Sequence, residues 1–291
     1  MELKNISYNI VNKVLDSNIR IYYENHNSIF DAIFKELNYF IVDETNSAAK
    51  HFYYDMKIIN DYFRYINNFN DSLMDMQISN LVFFHKKCPP QLKKEDRIIL
   101  GNSLRKTQKI IFTESTHADW NFDNSRTTLI KYGIPKYENE TNPNRKTKEI
   151  LILNLRNNGQ LQTLFQHIKN QYQNTDIITS IAGINIKKIY EILSQYKIVI
   201  DIDTPVNALA ATICGCVSLG VDKFDEKINS HIQILDFRTI NGLIQNVLNS
   251  NNINEVVNQD IDYIQKNYNF ENFEKLMSSL ILKTKKEPFL K

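Results

Sequence analysis

The residues best suited to binding chemistry lie between a strand-like run and a helix-like run in the C-terminal half of the chain. The apolar run Ile198–Ile200 leads into the polar loop Asp201–Pro205, and Asn207–Ile213 then favours a helix. Gly215 ends that helix, and Val217–Leu219 begins another apolar run. This order predicts one strand–helix–strand unit of a parallel sheet. The N–H groups and positive dipole at the start of such a helix suit a phosphate group.

Two further features of this region carry charged groups. Arg156 directly follows an apolar run at 149–153, and a guanidinium fork fits phosphate oxygens. Asp201 and Asp203 form an Asp-x-Asp pattern, and such hard oxygen ligands suit Mg²⁺ or Mn²⁺. Two loop carboxylates, one of which caps the helix that follows, explain the same pattern. We favour that second interpretation and predict no metal site.

The elements that must position these residues alternate between strands and helices. In the first half, the pattern predicts strands at 19–23, 39–42, 81–84, 109–113 and 127–130, with helices at 28–37, 47–65 and 93–104. In the second half, it predicts strands at 149–153, 176–179, 198–200, 217–219 and 233–235, with helices at 161–172, 186–195, 207–213, 238–249 and 258–283. Strands separated by helices indicate parallel sheets that are covered on both faces.

A polar segment divides the chain. Residues 137–148 contain Pro143 and lack apolar periodicity, as expected of a linker. We therefore predict an N-terminal domain over 1–136 and a C-terminal domain over 149–291. A chain of 291 residues with 42% hydrophobic content can build two such domains, each with its own core.

Composition also narrows the class of protein. The net charge of +2 does not require a nucleic-acid partner. The three cysteines are too few and too oddly spaced for a disulfide framework and indicate reduced thiols. No apolar run approaches the roughly 20 residues that span a bilayer, and the N-terminus lacks the apolar core of a secretory signal. We therefore expect a soluble, cytoplasmic protein.

Three local segments and the two-domain pattern resemble the GT-B glycosyltransferases. Lys131–Pro135 is similar to the segment that closes the N-terminal domain in that family. Leu151–Gly159 is similar to the first strand and basic loop of the C-terminal domain, and Ile200–Leu219 resembles the donor-binding unit. The resemblance implies two Rossmann-like domains with parallel sheets that face a cleft. It also implies metal-independent transfer of a sugar from a UDP- or GDP-sugar to an acceptor hydroxyl.

For the donor, the resemblance implies contacts from two loops of the C-terminal domain. The implied donor-binding residues are Arg156, Asn158, Gly159, Thr204, Pro205, Asn207 and Ala208. The chain departs from the family at Ala210, where many members carry a glutamate that binds the ribose. Asn207 and Thr204 are the candidate substitutes for that glutamate.

A general base for the acceptor hydroxyl is expected in the N-terminal domain. His85 follows the strand-like run 81–84, and an unperturbed histidine pKa of about 6.5 suits this role. Other polar residues occupy comparable loop positions and compete with His85 for it. These competing candidates are Asp43, Glu44, Glu114, His26 and His117.

The acceptor is expected to be a glycan. Three alternatives to this function stay open: DNA as the acceptor, binding without catalysis, and metal-dependent transfer. Residues 86–109 carry eight basic and two acidic side chains, a net charge of +6. That basic cluster is either a solvated helix face or a site for DNA, as in DNA-modifying glycosyltransferases of the phage type. Ala210 suggests a non-catalytic module that binds nucleotide sugars. Asp201 and Asp203 suggest a metal-dependent transferase of the GT-A type.

Overall fold

Two parallel sheets carry the strands that the structure describes. The computed structural model describes residues 21–24, 28–37, 41–43, 56–59, 79–84, 109–113, 125–137, 146–155, 159–201, 205–221 and 225–286. These residues fall into two compact units. The first holds the described residues within 1–26, 35–132 and 271–291, and the second holds those within 27–34 and 133–270.

The first sheet is parallel throughout its described strands. They are β1 (Ile21–Glu24), β2 (Ile41–Asp43), β3 (Met56–Ile59), β4 (Ser79–Phe84), β5 (Lys109–Phe112) and β6 (Thr127–Leu129). Their spatial order is β2-β1-β3-β4-β5-β6. Leu81, Phe83, Ile110 and Ile111 are buried in its centre. Such nearly continuous apolar runs are typical of strands that are covered on both faces.

Strand β3 shows that the helix predicted over 47–65 is wrong at its centre. Met56 is the register partner of Ile21 in β1 and of Ser79 in β4. The segment Met-Lys-Ile-Ile is too short for its periodicity to separate a strand from a helix. Pairing with a strand on each side therefore determines its structure. The rest of 47–65 lies outside the described residues, as does the helix predicted at 93–104.

Helix α1 (Ile29–Lys35) begins as its sequence predicts. The Ser28 hydroxyl accepts a hydrogen bond from the N–H of Asp31 at 3.2 Å. The Asp31 carboxylate accepts one from the N–H of Ser28 at 2.8 Å. This reciprocal capping satisfies two backbone donors that the helix leaves unpaired. Ser28 is therefore the N-cap of α1.

The second sheet contains the predicted donor-binding unit. Its strands are β7 (Lys148–Leu153), β8 (Thr175–Ile178), β9 (Tyr196–Asp201), β10 (Val217–Gly220) and β11 (His231–Gln233). Its helices include α2 (Gly159–Gln171), α3 (Ile186–Leu193), α4 (Pro205–Ile213) and α5 (Ile240–Leu248). Strands lie in the order β11-β10-β9-β7-β8, and every pair is parallel. On one face, Ile150, Ile198 and Leu219 pack in a core with Phe165 and Ile244.

The predicted helix at 258–283 is two helices. Helix α6 (Ile253–Asn267) ends at Tyr268, and α7 (Phe270–Lys286) follows. The backbone oxygen of Tyr268 accepts a hydrogen bond from the N–H of Ile134 at 2.8 Å. Its hydroxyl donates to Asp225 at 2.8 Å. These contacts hold Tyr268 outside helical geometry, with ψ at 42°. Within the described part of the chain, no helix is both long and apolar enough to cross a bilayer.

Candidate functional site

The strand order of the second sheet reverses between β7 and β9. Strand β8 lies beyond β7, whereas β10 and β11 continue on the other side of β9. In doubly wound sheets, ligands bind at the carboxyl ends of the strands where the order reverses. Leu153 at the end of β7 is the register partner of Asp201 at the end of β9. The chain segments that follow these two strands therefore leave the sheet side by side.

Those segments carry the predicted donor-binding residues. Three of them, Arg156, Asn158 and Thr204, lie outside the described residues. Gly159 is the exposed first residue of α2. Pro205 is the buried first residue of α4, a position that suits proline because the N–H it lacks would have no partner in the helix. Asn207 and Ala208 follow in the same turn and are buried.

Helix α4 is buried along its whole length. Ala210 is fully enclosed, so this position carries no polar group where many GT-B members carry a glutamate. Asn207 is the polar side chain in the first two turns. The N–H groups of those first residues have no acceptor within the helix. A ligand that reaches this turn would meet groups that are already removed from water, where hydrogen bonds are strong.

Asp201 binds Asn207 across the loop that joins β9 to α4. The Asn207 Nδ2 atom donates to Oδ1 of Asp201 at 3.0 Å, and both side chains are buried. The Oδ1 atom of Asn207 accepts no hydrogen bond from any residue that the structure describes. The sequence suggested a cation ligand or a helix cap at Asp201 and missed this pairing. Asp203 lies outside the described residues, and those described hold no cluster of three or more His, Cys, Asp or Glu side chains for a metal.

A buried polar layer continues beyond Asp201 on the same face of the sheet. Ser218 in β10 shares a hydrogen bond of 2.8 Å with Nδ1 of His231 in β11. Further along α4, Thr212 Oγ1 lies 3.3 Å from Ser230 Oγ, and the Ser230 N–H donates to Asp260 at 2.5 Å. The sequence pattern did not identify any of these residues as functional. A serine within the apolar run Val217–Leu219 was the available signal.

A second polar cluster, formed by Lys148, Asp176 and Tyr196, links β7, β8 and β9 at their amino ends, opposite the candidate site. Lys148 Nζ and the Tyr196 hydroxyl donate to the Asp176 carboxylate at 2.7 and 2.6 Å. The bond from Lys148, and then that from Tyr196, lowers the pKa of Asp176. The same bond to Asp176 raises the pKa of Lys148, and burial raises the pKa of Tyr196. Because these residues lie at the start of β7, β8 and β9, they are far from the candidate site.

The two described cysteines are core residues. Cys214 and Cys216 are buried and not disulfide-bonded. The Cys216 thiol lies 3.2 Å from the backbone oxygens of both Leu193 and Tyr196. Burial raises the pKa of both thiols, so neither forms a thiolate readily and neither suits a nucleophilic role.

The predicted catalytic residues follow strands of the first sheet. His85, Glu44 and Glu114 lie outside the described residues, and Asp43 is the last residue of β2. Strand β4, which precedes His85, pairs with β5, which precedes Glu114. Strand β2 is separated from β4 by β1 and β3. At about 4.8 Å per strand, β2 and β4 are about 14 Å apart.

The basic cluster at 86–109 is described only at its last residue. There, Lys109 Nζ donates to the backbone oxygen of Ser125 at 3.3 Å. This contact joins the ends of two neighbouring strand segments. Lys109 therefore contributes a hydrogen bond between the segments that enter β5 and β6.

Solved structures with this architecture are known. HepE from Anabaena, solved in complex with UDP and glucose, matches with a TM-score of 0.59 at 8% identity, over 91% of this chain and 99% of HepE. A glycosyltransferase from Rickettsia africae matches with a TM-score of 0.49 at 8% identity, over 98% of this chain and 95% of its own. No protein-family model and no curated protein sequence matches the chain. The similarity to HepE confirms the expected GT-B fold, with mixed α/β structure and parallel sheets.

Proposed function

We propose that this protein is a glycosyltransferase that moves a sugar from a nucleoside diphosphate sugar to a hydroxyl group of a glycan. The observation that carries the proposal is the reversal of strand order between β7 and β9, with Arg156 after one strand and the start of α4 after the other. HepE, which shares the fold, was solved with UDP and glucose. A UDP-sugar is therefore the first donor to test, and a GDP-sugar is the second.

In this proposal the diphosphate lies between two sources of positive charge. The N–H groups and dipole at the start of α4 face one part of it, and the Arg156 guanidinium pairs with another. Asn158, Gly159 and Thr204 belong to the same two loops and complete the donor site. Both charge sources offset the negative charge that develops on the leaving diphosphate. We therefore propose that transfer does not depend on a metal ion.

The transfer step joins the acceptor oxygen to the anomeric carbon of the sugar. The bond between that carbon and the diphosphate oxygen breaks, and the nucleoside diphosphate leaves with the bonding electrons. A general base takes the proton of the acceptor hydroxyl, and we assign this role to His85. Glu114 follows the neighbouring strand and suits a supporting role, in which its carboxylate stabilises the imidazolium that forms.

A glycan is the proposed acceptor because a neutral hydroxyl fits this chemistry without further binding groups. Duplex DNA is the alternative acceptor that the net charge of +6 over residues 86–109 suggests. A gel shift with duplex DNA at two salt concentrations tests that alternative. Salt-sensitive binding would support the DNA alternative, because phosphate contacts weaken as salt rises.

The experiment for the donor is a thermal-shift screen with UDP-glucose, UDP-N-acetylglucosamine and GDP-mannose. A ligand that binds the native state raises the melting temperature. We expect one of these donors to raise it, and Arg156→Ala to remove most of the effect. Lys169→Ala is the matched control, because it removes one positive charge, as Arg156→Ala does, but lies on the last turn of α2. If no nucleotide sugar shifts the wild-type protein, the proposal is wrong.

A second measurement separates an enzyme from a binding module. Released UDP or GDP is followed with the donor alone and with added oligosaccharides. Transfer of radiolabelled sugar to an oligosaccharide supports the proposal, and activity that persists with a chelator supports metal independence. Binding without any turnover would favour a non-catalytic module on the same fold.

A further inference from the structure

The side-chain amide of Asn207 is held in one orientation by a carboxylate. Its Nδ2 atom donates to Oδ1 of Asp201 at 3.0 Å, and both side chains are buried. An ionised carboxylate only accepts hydrogen bonds, so it faces the NH₂ half of the amide rather than the oxygen. Asp201 thereby directs Oδ1 of Asn207 away from itself.

That amide oxygen is an acceptor that lacks a donor among the described residues. Nearly all buried polar atoms in proteins have a partner, because an unpaired one has lost its water without replacement. Asn207 is the third residue of α4, and this helix begins beside the point where the strand order reverses. A ligand bound there can supply the missing hydrogen bond.

We propose that Asp201 is a positioning residue and that Oδ1 of Asn207 accepts a hydrogen bond from a hydroxyl of the bound nucleotide sugar. This inference rests on the proposed function. Ionised phosphate oxygens only accept hydrogen bonds and do not satisfy another acceptor. Ribose and sugar hydroxyls donate, so the pair selects ligands that carry a hydroxyl at this place over their deoxy analogues.

The test compares binding of UDP, 2′-deoxy-UDP and 3′-deoxy-UDP to the full chain by calorimetry. We expect the wild-type protein to prefer UDP about fivefold over the analogue that lacks the contacted hydroxyl, as for one average hydrogen bond. In Asp201→Asn, the new amide both donates and accepts, so Asn207 is no longer held in one orientation. The ratio of the affinities for UDP and its deoxy analogue should then fall towards one. UDP-glucose and its 2-deoxyglucose counterpart show whether the hydroxyl belongs instead to the transferred sugar.

A matched control separates positioning from a general structural effect. Thr212→Val removes a buried hydrogen bond at the other end of α4 and should leave the preference unchanged. The inference is overturned if wild type binds UDP but prefers no hydroxyl-bearing ligand over its deoxy counterpart. It is equally overturned if Asp201→Asn weakens all ligands alike and keeps the wild-type ratio. Wild-type protein that binds no nucleotide or nucleotide sugar removes the proposed function as well, which distinguishes the two failures.

Discussion

The imidazole ring of His231 packs against Gly220 so closely that no side chain fits between them. A Cβ atom at Gly220 would lie 2.8 Å from Cε1 of His231 and 3.0 Å from the backbone oxygen of Asp201. The hydrogen bond between Nδ1 of the ring and the Ser218 hydroxyl fixes the imidazole in this place. Gly220 is the last residue of β10 and is the register partner of Asp201. The packing of the ring thus supports the strand end from which the candidate donor loop leaves.

Gly220→Ala should destabilise the protein because the added methyl group has no space. Either the His231 ring moves and loses its bond to Ser218, or β10 shifts against β9. Overpacking of this kind costs about 1–3 kcal/mol, and we expect a lower urea midpoint. Gly242→Ala is the matched control, since nothing lies within 4 Å of its added Cβ. In helix α5, that change should stabilise by about 0.5–1 kcal/mol. Equal midpoints for Gly220→Ala and wild type would contradict the packing described.

The sequence predicted the strand–helix–strand unit around α4 because each of its signals is local. The apolar run Ile198–Ile200, Pro205 and Gly215 act through their own backbone preferences. They mark a strand, a helix start and a helix end without reference to distant residues. The reversal of strand order follows less directly, because it depends on which strands pair. Pairing partners are not encoded in the local pattern.

The sequence pattern did not predict the features that depend on contacts between distant residues. Strand β3 exists because Met56–Ile59 pairs with neighbours on both sides. The break at Tyr268 depends on Ile134 and Asp225, which are far away in the chain. The bond from Asn207 to Asp201 joins residues that are only six positions apart. Predicting it would still require the path of the loop between them. The sequence therefore predicted which region of the chain forms the site. The hydrogen bonds within the site are visible only in the structure.

The Lys148–Asp176–Tyr196 cluster should make stability depend on pH on the acid side. The bond from Lys148 lowers the pKa of Asp176 in the folded protein, so its stabilisation is complete above the unfolded value of about 3.9. It is lost as the pH falls through the folded pKa. Lys148 and Asp176 are 40% and 43% exposed, so Lys148→Met should cost at most about 1 kcal/mol at pH 7.

Urea titrations of wild type and Lys148→Met at pH 7 and pH 3 check this prediction. The difference in urea midpoint should shrink at pH 3, because the stabilisation declines once the pH is below the unfolded pKa of about 3.9. Lys197→Met is the control, since it removes an exposed lysine of β9, next to Tyr196. A difference that stays constant between the two pH values would show that Lys148 acts through packing instead.

Asp260→Ala should destabilise the second unit because it leaves a buried backbone donor without its partner. The Ser230 N–H donates to Asp260 at 2.5 Å, and the carboxylate is 2% exposed. Losing this partner should cost about 1–3 kcal/mol. Asp260→Asn keeps an acceptor oxygen and should cost less. Asp262→Ala removes an exposed carboxylate from the same helix and should change stability by less than about 0.5 kcal/mol. Equal losses for Asp260→Ala and Asp262→Ala would refute the role of Asp260.

His85→Ala should lower kcat by about 10²–10⁴-fold if His85 removes the proton from the acceptor. The affinity for the donor should stay unchanged, because the proposed donor site belongs to the second sheet. Wild-type kcat/KM should fall at acidic pH as the histidine takes up a proton. Asp43→Asn is the control, since β2 lies about 14 Å from β4 and one acceptor hydroxyl cannot contact the end residues of both strands. A larger loss for Asp43→Asn than for His85→Ala would transfer the role of base to Asp43.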